Sequence, residues 1–343
     1  MKRKKLWVPV VNEVDCVSDN WEAGTLAPAE VLVRNLCSHI SAGTELACIA
    51  GEESFFSIPD TPGYTAVGQI EALGAAVQGF EKGDRVYTYG PHAAYFKIDT
   101  TDRWHGVCVP VPEGVTNETA AFTHMATIAL TAIRQSTIEL GDRVLVTGLG
   151  AIGNLAAQLA QLQGAEVLAL DRIPGRVAAA KASGIAGAEV VGPGPVPESL
   201  RQKLTDQPIQ VFIDATGAAA VLEAYVPLLG PSAQVIVLGS PRRPYQTNLT
   251  GFLQHFHLLP LNAELRGALE FIYPTYPSPF HKHSITRNAE IILDLMLQKR
   301  LHTEPLLTQV LKPENAAEGY QGLRERPQDY LGVLIDWTQK PDQ

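Results

Sequence analysis

One stretch constrains the fold of this chain more than any other. Gly148-Leu-Gly150-Ala-Ile-Gly153 follows the apolar run Arg143-Val-Leu-Val-Thr147 and opens a helix-like stretch from Ile152 to Gln163. Alone, a G-x-G-x-x-G is a weak signal; between a strand and a helix each glycine has its own task. The first permits a tight turn, the second lets the backbone approach a pyrophosphate, and the third allows close helix–strand packing. The helix start, with Ala151 and Ile152, then offers unpaired N–H groups and the positive end of its dipole to phosphate. The next apolar run, Glu166-Val-Leu-Ala-Leu170, ends in Asp171, eighteen residues after Gly153. A carboxylate there accepts both hydroxyls of an adenosine ribose and repels a 2′-phosphate, which favours NAD(H) over NADP(H). Arg172 beside it can attract such a phosphate and keeps NADP(H) as the alternative.

The surrounding pattern is that of a doubly wound α/β unit. Apolar runs at Gln210 to Asp214 and Gln234 to Leu238 alternate with helical stretches such as Arg176 to Ser183. Near-continuous apolar strands of this kind belong to a parallel sheet buried on both faces. Two strand ends, Asp214-Ala-Thr216-Gly217 and Leu238-Gly239-Ser240, are expected to touch the nicotinamide half of the dinucleotide, since ligands bind at the carboxyl ends of such strands.

The chain has 343 residues, enough for a second core. Up to about residue 115 it holds short β-type runs (Glu30 to Arg34, Ala66 to Glu71, Asp84 to Tyr87) separated by turn signals such as Pro62-Gly63 and Lys82-Gly83-Asp84. This predicts a compact barrel-like β domain. Helical spacing sets in from Glu118 to Gln135; later a helix from Arg287 to Lys299 precedes strands at Leu306 to Val310 and Gly332 to Asp336. A formal charge of −9 argues against nucleic-acid binding. The basic start, Met1 to Lys5, followed by Leu6 to Val11, is too short for a signal peptide and reads as a first strand with a basic lead-in. No apolar run is long enough to span a membrane. Cys16, Cys37, Cys48 and Cys108 form no C-x-x-C pair, and are expected to be reduced thiols in a cytoplasmic protein.

Several segments together resemble the medium-chain dehydrogenase/reductase superfamily, in particular its alcohol and polyol dehydrogenases, over essentially the whole chain. They are Gly43-Thr44-Glu45, Pro62-Gly63-Tyr64-Thr-Ala-Val-Gly68, Gly83-Asp84-Arg85-Val86, Gly148 to Gly153, and the ending Tyr320 to Pro327 with Gly332 to Asp336. The resemblance implies a GroES-like catalytic domain from residues 1–124 and 283–343. A Rossmann domain, residues 125–282, is inserted between them, with the active site in the cleft. It also implies hydride transfer between NAD and a hydroxyl or ketone of a polyol, sugar or cyclitol-like small molecule. A homodimer paired at a sheet edge beyond residues 234–238 is expected as well.

The departures from that family decide the chemistry. Zinc members carry a cysteine where this chain has Ala42, and a Gly-His-Glu where it has Gly63-Tyr64-Thr65. No cysteine of a structural zinc lobe lies between Val86 and Phe96. A catalytic zinc wants three N, S or O ligands and an open position, so no zinc is expected. A side chain must then exchange the proton of the substrate oxygen and stabilise its charge, tasks zinc otherwise performs. His124, at the position of the family's third ligand, is the first candidate for acid/base, because its unperturbed pKa suits proton transfer near neutrality. Tyr64 is expected to hydrogen-bond the oxygen, and Thr44 and Glu45 to orient substrate hydroxyls. Thr127 lies where relatives place a hydroxyl near the nicotinamide. The aromatic, proline-rich segment Tyr273 to His283 reads either as a cover over the substrate or as a surface loop, and His255 and His257 as structural. Two other functions fit the same fold: a zinc-independent quinone or enoyl reductase using NADPH, and a non-catalytic NAD-binding sensor.

Overall fold

The computed structural model describes residues 2–338. They fall into two compact units, residues 2–124 with 273–338, and residues 125–272.

The first unit is built on a seven-stranded sheet that draws on both ends of the chain. Its order is Leu307–Leu311, Gly332–Asp336, Glu30–His39, Ala66–Leu73, Arg85–Thr88 and Cys108–Pro110, with Tyr95–Asp99 pairing the first part of Glu30–His39. Alternation along Glu30–His39 buries Val31 and Val33 against Ile70, Val86 and Phe96. A second cluster, Ile40, Ile49, Tyr320, Val333 and Ile335, joins the helices Ala42–Ile49 and Ala316–Glu325 to that sheet. These apolar contacts bring residues from the two chain ends into one core.

Three expectations are corrected here. The first strand is Lys2–Trp7, not Leu6 to Val11; Val10 and Val11 are half-exposed beyond it. The basic residues can lie in a strand because Asp19, on the antiparallel partner Asp15–Asn20, pairs with Arg3 at 2.6 Å and Lys5 at 3.7 Å. The stretch Glu118 to Gln135 forms two helices, Asn117–Ala120 and Thr123–Gln135. Residues 273–282, read from sequence as part of the inserted domain, belong to the first unit. Thr275 and Tyr276 donate their hydroxyls to the carbonyls of Arg103 and Gly106, and Thr286 N–H donates to Thr275 O at 3.0 Å.

The second unit holds a six-stranded, all-parallel sheet. Its order is Ala188–Val190, Glu166–Asp171, Arg143–Thr147, Val211–Asp214, Gln234–Val237 and Glu264–Gly267. Strand order reverses between Arg143–Thr147 and Val211–Asp214, the switch point outside which doubly wound folds bind ligands. Leu145, Leu168, Phe212 and Val235 pack with Leu200 and Leu204 of the helix Glu198–Asp206. The last strand, Glu264–Gly267, has no apolar run to announce it. All four of its residues are exposed, and register with Gln234–Val237 makes it a strand. Among the described residues, no helix is long and apolar enough to cross a membrane. All four cysteines are free thiols, three of them buried.

Candidate functional site

In the second unit the glycine motif is a turn from the strand Arg143–Thr147 into the helix Ala151–Leu162. Gly148 takes φ +83°, a left-handed value that glycine adopts without penalty. A Cβ on Gly153 would stand 1.8 Å from Gly148 O and 3.0 Å from the Ala215 Cβ, so the helix seats on the sheet only because this residue is glycine. Gly150 is the N-cap, and a Cβ there would meet nothing within 4 Å. The backbone is therefore open beside the first-turn N–H groups of Ala151 and Ile152, which have no carbonyl four residues back. That cradle fits a pyrophosphate.

Asp171 closes the same loop. Its Oδ2 accepts Leu149 N–H at 2.6 Å and its Oδ1 accepts Ile173 N–H at 2.8 Å. Both carboxylate oxygens keep further acceptor capacity for ribose hydroxyls. Arg172 is exposed, whereas Arg176 lies 3.8 Å from Asp171 Oδ2. Arg176 was missed from sequence, although its place five residues beyond the acid, in the first turn of a helical stretch, was visible there. At the neighbouring strand end, Asp214 Oδ1 accepts the hydroxyls of Thr147 at 2.9 Å and Thr216 at 2.6 Å. Burial raises the Asp214 pKa against these hydrogen bonds. Leu238 and Gly239 N–H both donate to Asp214 O, at 2.9 and 2.8 Å, which ties the turn Thr216-Gly217 to the turn Gly239-Ser240. Thr127 is fully buried in its helix.

In the first unit the structure brings His124 and Tyr64 together. His124, in the first turn of Thr123–Gln135, has its ring stacked on Tyr89, with centroids 4.1 Å apart and planes 4° from parallel. Its edge meets the Tyr64 ring at 5.1 Å. Its Nδ1 lies 3.2 Å from the Tyr64 carbonyl, which can only accept. Nδ1 therefore carries a proton towards that carbonyl, which leaves Nε2 as the nitrogen to exchange one. The Tyr64 hydroxyl donates to Ser41 Oγ, and burial together with the charge of Glu45 pushes its pKa up. Tyr64 thus stays protonated and acts as a hydroxyl, not as a base.

Glu45, expected to orient substrate hydroxyls, faces inward instead; this is a correction. It is 1% exposed and both of its oxygens are engaged within the protein. Oε1 accepts Ser41 N–H at 2.8 Å; Oε2 accepts Tyr320 OH at 2.6 Å and lies 3.0 Å from His92 Nε2. Burial works to raise its pKa, but the His92 ring and the hydrogen bonds from His92, Tyr320 and Ser41 outweigh it and hold the carboxylate below its ordinary value. His92 Nδ1 in turn lies 2.7 Å from Ser38 Oγ, which accepts Trp337 Nε1–H at 2.8 Å. Sequence reading missed His92, a histidine in the small, apolar stretch Pro91-His-Ala-Ala94. Thr44, its neighbour in the motif, adds a hydrogen-bond interaction to the Tyr64 hydroxyl. His39 is a further buried imidazole. Neither of its nitrogens has a partner among the described residues, its ring edge rests on Phe122 at 4.7 Å, and burial pushes its pKa down to about 4.

The donor set does not fit a zinc ion. Ala42 has no donor atom, the Tyr64 hydroxyl is committed to Ser41, and His124 alone offers a ligand of the usual kind. Among the described residues, no three His, Cys, Asp or Glu side chains are grouped to hold a metal.

Comparison with known proteins places these features in a broader set. Residues 27–132 match the alcohol dehydrogenase GroES-like domain, and residues 151–271 match a domain described as zinc-binding dehydrogenase. The chain is 26% identical over 277 residues to D-guloside 3-dehydrogenase of Escherichia coli, covering 80% of this chain and 76% of that one. It is 23% identical to sorbitol dehydrogenase of Macaca fascicularis, covering 94% of each. Galactitol-1-phosphate dehydrogenase from Escherichia coli shares the fold, with a TM-score of 0.82 at 21% identity over 97% of this chain and 99% of that one.

Proposed function

We propose that this chain, which belongs to the medium-chain dehydrogenase/reductase superfamily and is an oxidoreductase of the alcohol and polyol dehydrogenase type, is NAD-dependent and zinc-independent, and acts on a hydroxyl or ketone of a polyol, sugar or cyclitol-like substrate. The observation that carries this reading is the His124–Tyr64 pair. It stands at two of the positions where the family's zinc ligands are expected, while Ala42 removes a third. The bound nicotinamide would supply the hydride acceptor or donor. Gly148, Gly150, Gly153, Ala151 and Ile152 would hold the pyrophosphate, and Asp171 with Arg176 the adenosine ribose. Thr216, Gly217, Leu238, Gly239, Ser240 and Thr127 would line the nicotinamide end.

His124 Nε2 takes the proton of the substrate hydroxyl in oxidation and returns it in reduction. Nδ1–H, anchored on the Tyr64 carbonyl, and the stacked Tyr89 ring keep that nitrogen oriented. Tyr64, its proton committed to Ser41, and Thr44 offer oxygens that orient a neighbouring hydroxyl of the substrate. The polyol class draws support from this hydroxyl-rich set and from the relatives that act on guloside and sorbitol. Dimer formation draws support from Glu264–Gly267, a terminal strand whose four residues are all exposed, Leu265 at 50%. Such an open edge is a template for pairing with a second copy.

The test is an NAD-reduction screen of sorbitol, galactitol, inositols and vicinal diols with protein dialysed against EDTA. Turnover that survives dialysis and falls at least a hundredfold in His124→Ala is expected. Turnover restored only by added zinc removes the zinc-independent reading, and near-wild-type turnover in His124→Ala removes that residue from the chemistry. No oxidation of any of these compounds, despite tight NADH binding, supports the sensor instead.

A further inference from the structure

Tyr64 is held by a closed circuit of buried contacts whose far side is His92. A Cβ on Gly63, the residue before Tyr64, would stand 2.6 Å from His92 Cγ and Cδ2. Gly63 takes φ +98°, so only glycine lets the chain turn against the imidazole there. His92 N–H also donates to Pro62 O at 2.9 Å. From the ring the circuit runs through Nε2 to Glu45 Oε2 at 3.0 Å. It continues from Glu45 Oε1 to Ser41 N–H at 2.8 Å, and from Ser41 Oγ back to the Tyr64 hydroxyl. His92 therefore touches both ends of Tyr64's support: the backbone that carries the residue and, through Glu45 and Ser41, the atom that receives its proton. His92 itself is 0% exposed and pinned from behind by Ser38, which Trp337 holds in turn.

Ser41 shows that the circuit has displaced an ordinary local arrangement. It is the N-cap of Ala42–Ile49, the position where a serine side chain normally accepts an N–H of the first turn. Here its hydroxyl makes no such cap and accepts from Tyr64 instead. Glu45, one turn on, takes the Ser41 backbone N–H, so the helix start is fastened by the carboxylate while the serine hydroxyl is left to Tyr64.

We propose that His92 is a positioning residue which, through Gly63, Glu45 and Ser41, fixes where the Tyr64 hydroxyl points and commits its proton to Ser41. The Tyr64 oxygen then presents lone pairs, so that it receives the O–H of a second hydroxyl of the substrate, beside the one whose proton passes to His124. This rests on Tyr64 belonging to the substrate site.

The test uses the full chain labelled with 3-fluorotyrosine, the Tyr64 ¹⁹F resonance being assigned by its loss in Tyr64→Phe. His92→Leu removes the donor to Glu45. His92→Gln keeps an N–H where Nε2 stood. The resonance is expected to shift or broaden in His92→Leu and to return towards the wild-type position in His92→Gln. Sorbitol oxidation should fall at least tenfold in kcat/KM in the first variant and recover to within about threefold in the second. A Tyr64 resonance unmoved in folded His92→Leu overturns the proposal, as does His92→Gln behaving like His92→Leu. If His92→Leu does not fold, Ser41→Ala decides, because it cuts the circuit at Tyr64 alone: an unmoved resonance there is equally fatal. Undiminished polyol turnover in Tyr64→Phe removes Tyr64 from the substrate site, yet leaves the resonance test of the circuit standing.

Discussion

Two glycines of one motif, three residues apart, should fail in opposite ways when each receives a single methyl group. Gly150 sits at φ −61° and ψ −179°, a conformation alanine adopts freely, and its Cβ would meet nothing within 4 Å. Replacing it by alanine loses about 0.5–1 kcal/mol of N-cap preference and recovers about 0.4–1 kcal/mol from the less flexible unfolded chain. The fold should be unchanged to within about 0.5 kcal/mol. The methyl nevertheless projects where the pyrophosphate must approach the backbone, so NADH affinity should weaken at least tenfold, about 1.4 kcal/mol. In Gly153→Ala the new Cβ would fall 1.8 Å from Gly148 O. The helix Ala151–Leu162 must move off the sheet by more than an ångström to accept it. Overpacking of this kind costs about 1–3 kcal/mol. At about 2–4 °C per kcal/mol for domains of some 150 residues or more, the melting temperature should drop by roughly 3–10 °C, with NADH binding lost alongside. NADH fluorescence titration and thermal melts on the same preparations read both quantities. Wild-type NADH affinity in Gly150→Ala would refute the pyrophosphate cradle. A wild-type melting temperature in Gly153→Ala would refute the close packing inferred from its geometry.

Three other outcomes follow from the same geometry. His39 has its folded-state pKa pushed down to about 4, against about 6.5 unfolded, so between those values only the unfolded chain binds the proton. Its contribution is fully present above pH 6.5 and lost as pH falls towards 4, by up to about 3 kcal/mol; His39→Leu should flatten the stability–pH curve in that window, and an unchanged slope counts against it. Leu265→Lys, on the exposed edge strand, should shift the protein towards monomer in light scattering while leaving NADH affinity alone; a monomeric wild type removes the dimer. Asp171→Ser should weaken NADH at least tenfold and improve the relative affinity for NADPH. If the wild type already binds NADPH more tightly than NADH, the cofactor reading reverses and the quinone or enoyl reductase alternative gains.

The dinucleotide half of the protein was legible in the amino-acid order because its parts are contiguous. Strand, three glycines, helix start and terminal acid lie between Arg143 and Asp171, and each obeys a local rule of backbone sterics or dipole direction. A parallel sheet also advertises itself, since burial on both faces requires unbroken apolar runs. The departures from the family's zinc-ligand pattern at Ala42, Tyr64 and Thr65 could likewise be read residue by residue. Only the tertiary structure decided what those polar residues do instead. Glu45 read as a substrate ligand because it sits beside Thr44 in the motif. Its partners, however, are His92, forty-seven positions away, and Tyr320, 275 away, and together they bury it. Nothing in a local pattern distinguishes a carboxylate aimed at solvent from one hydrogen-bonded by residues distant in the chain. The same holds for Glu264–Gly267, which is a strand only because Gln234–Val237 offers it a ladder, and for residues 273–282, held by hydroxyls that bond distant carbonyls. Local rules indicated where the cofactor is expected; long-range hydrogen bonds decided which polar side chains are engaged within the protein instead.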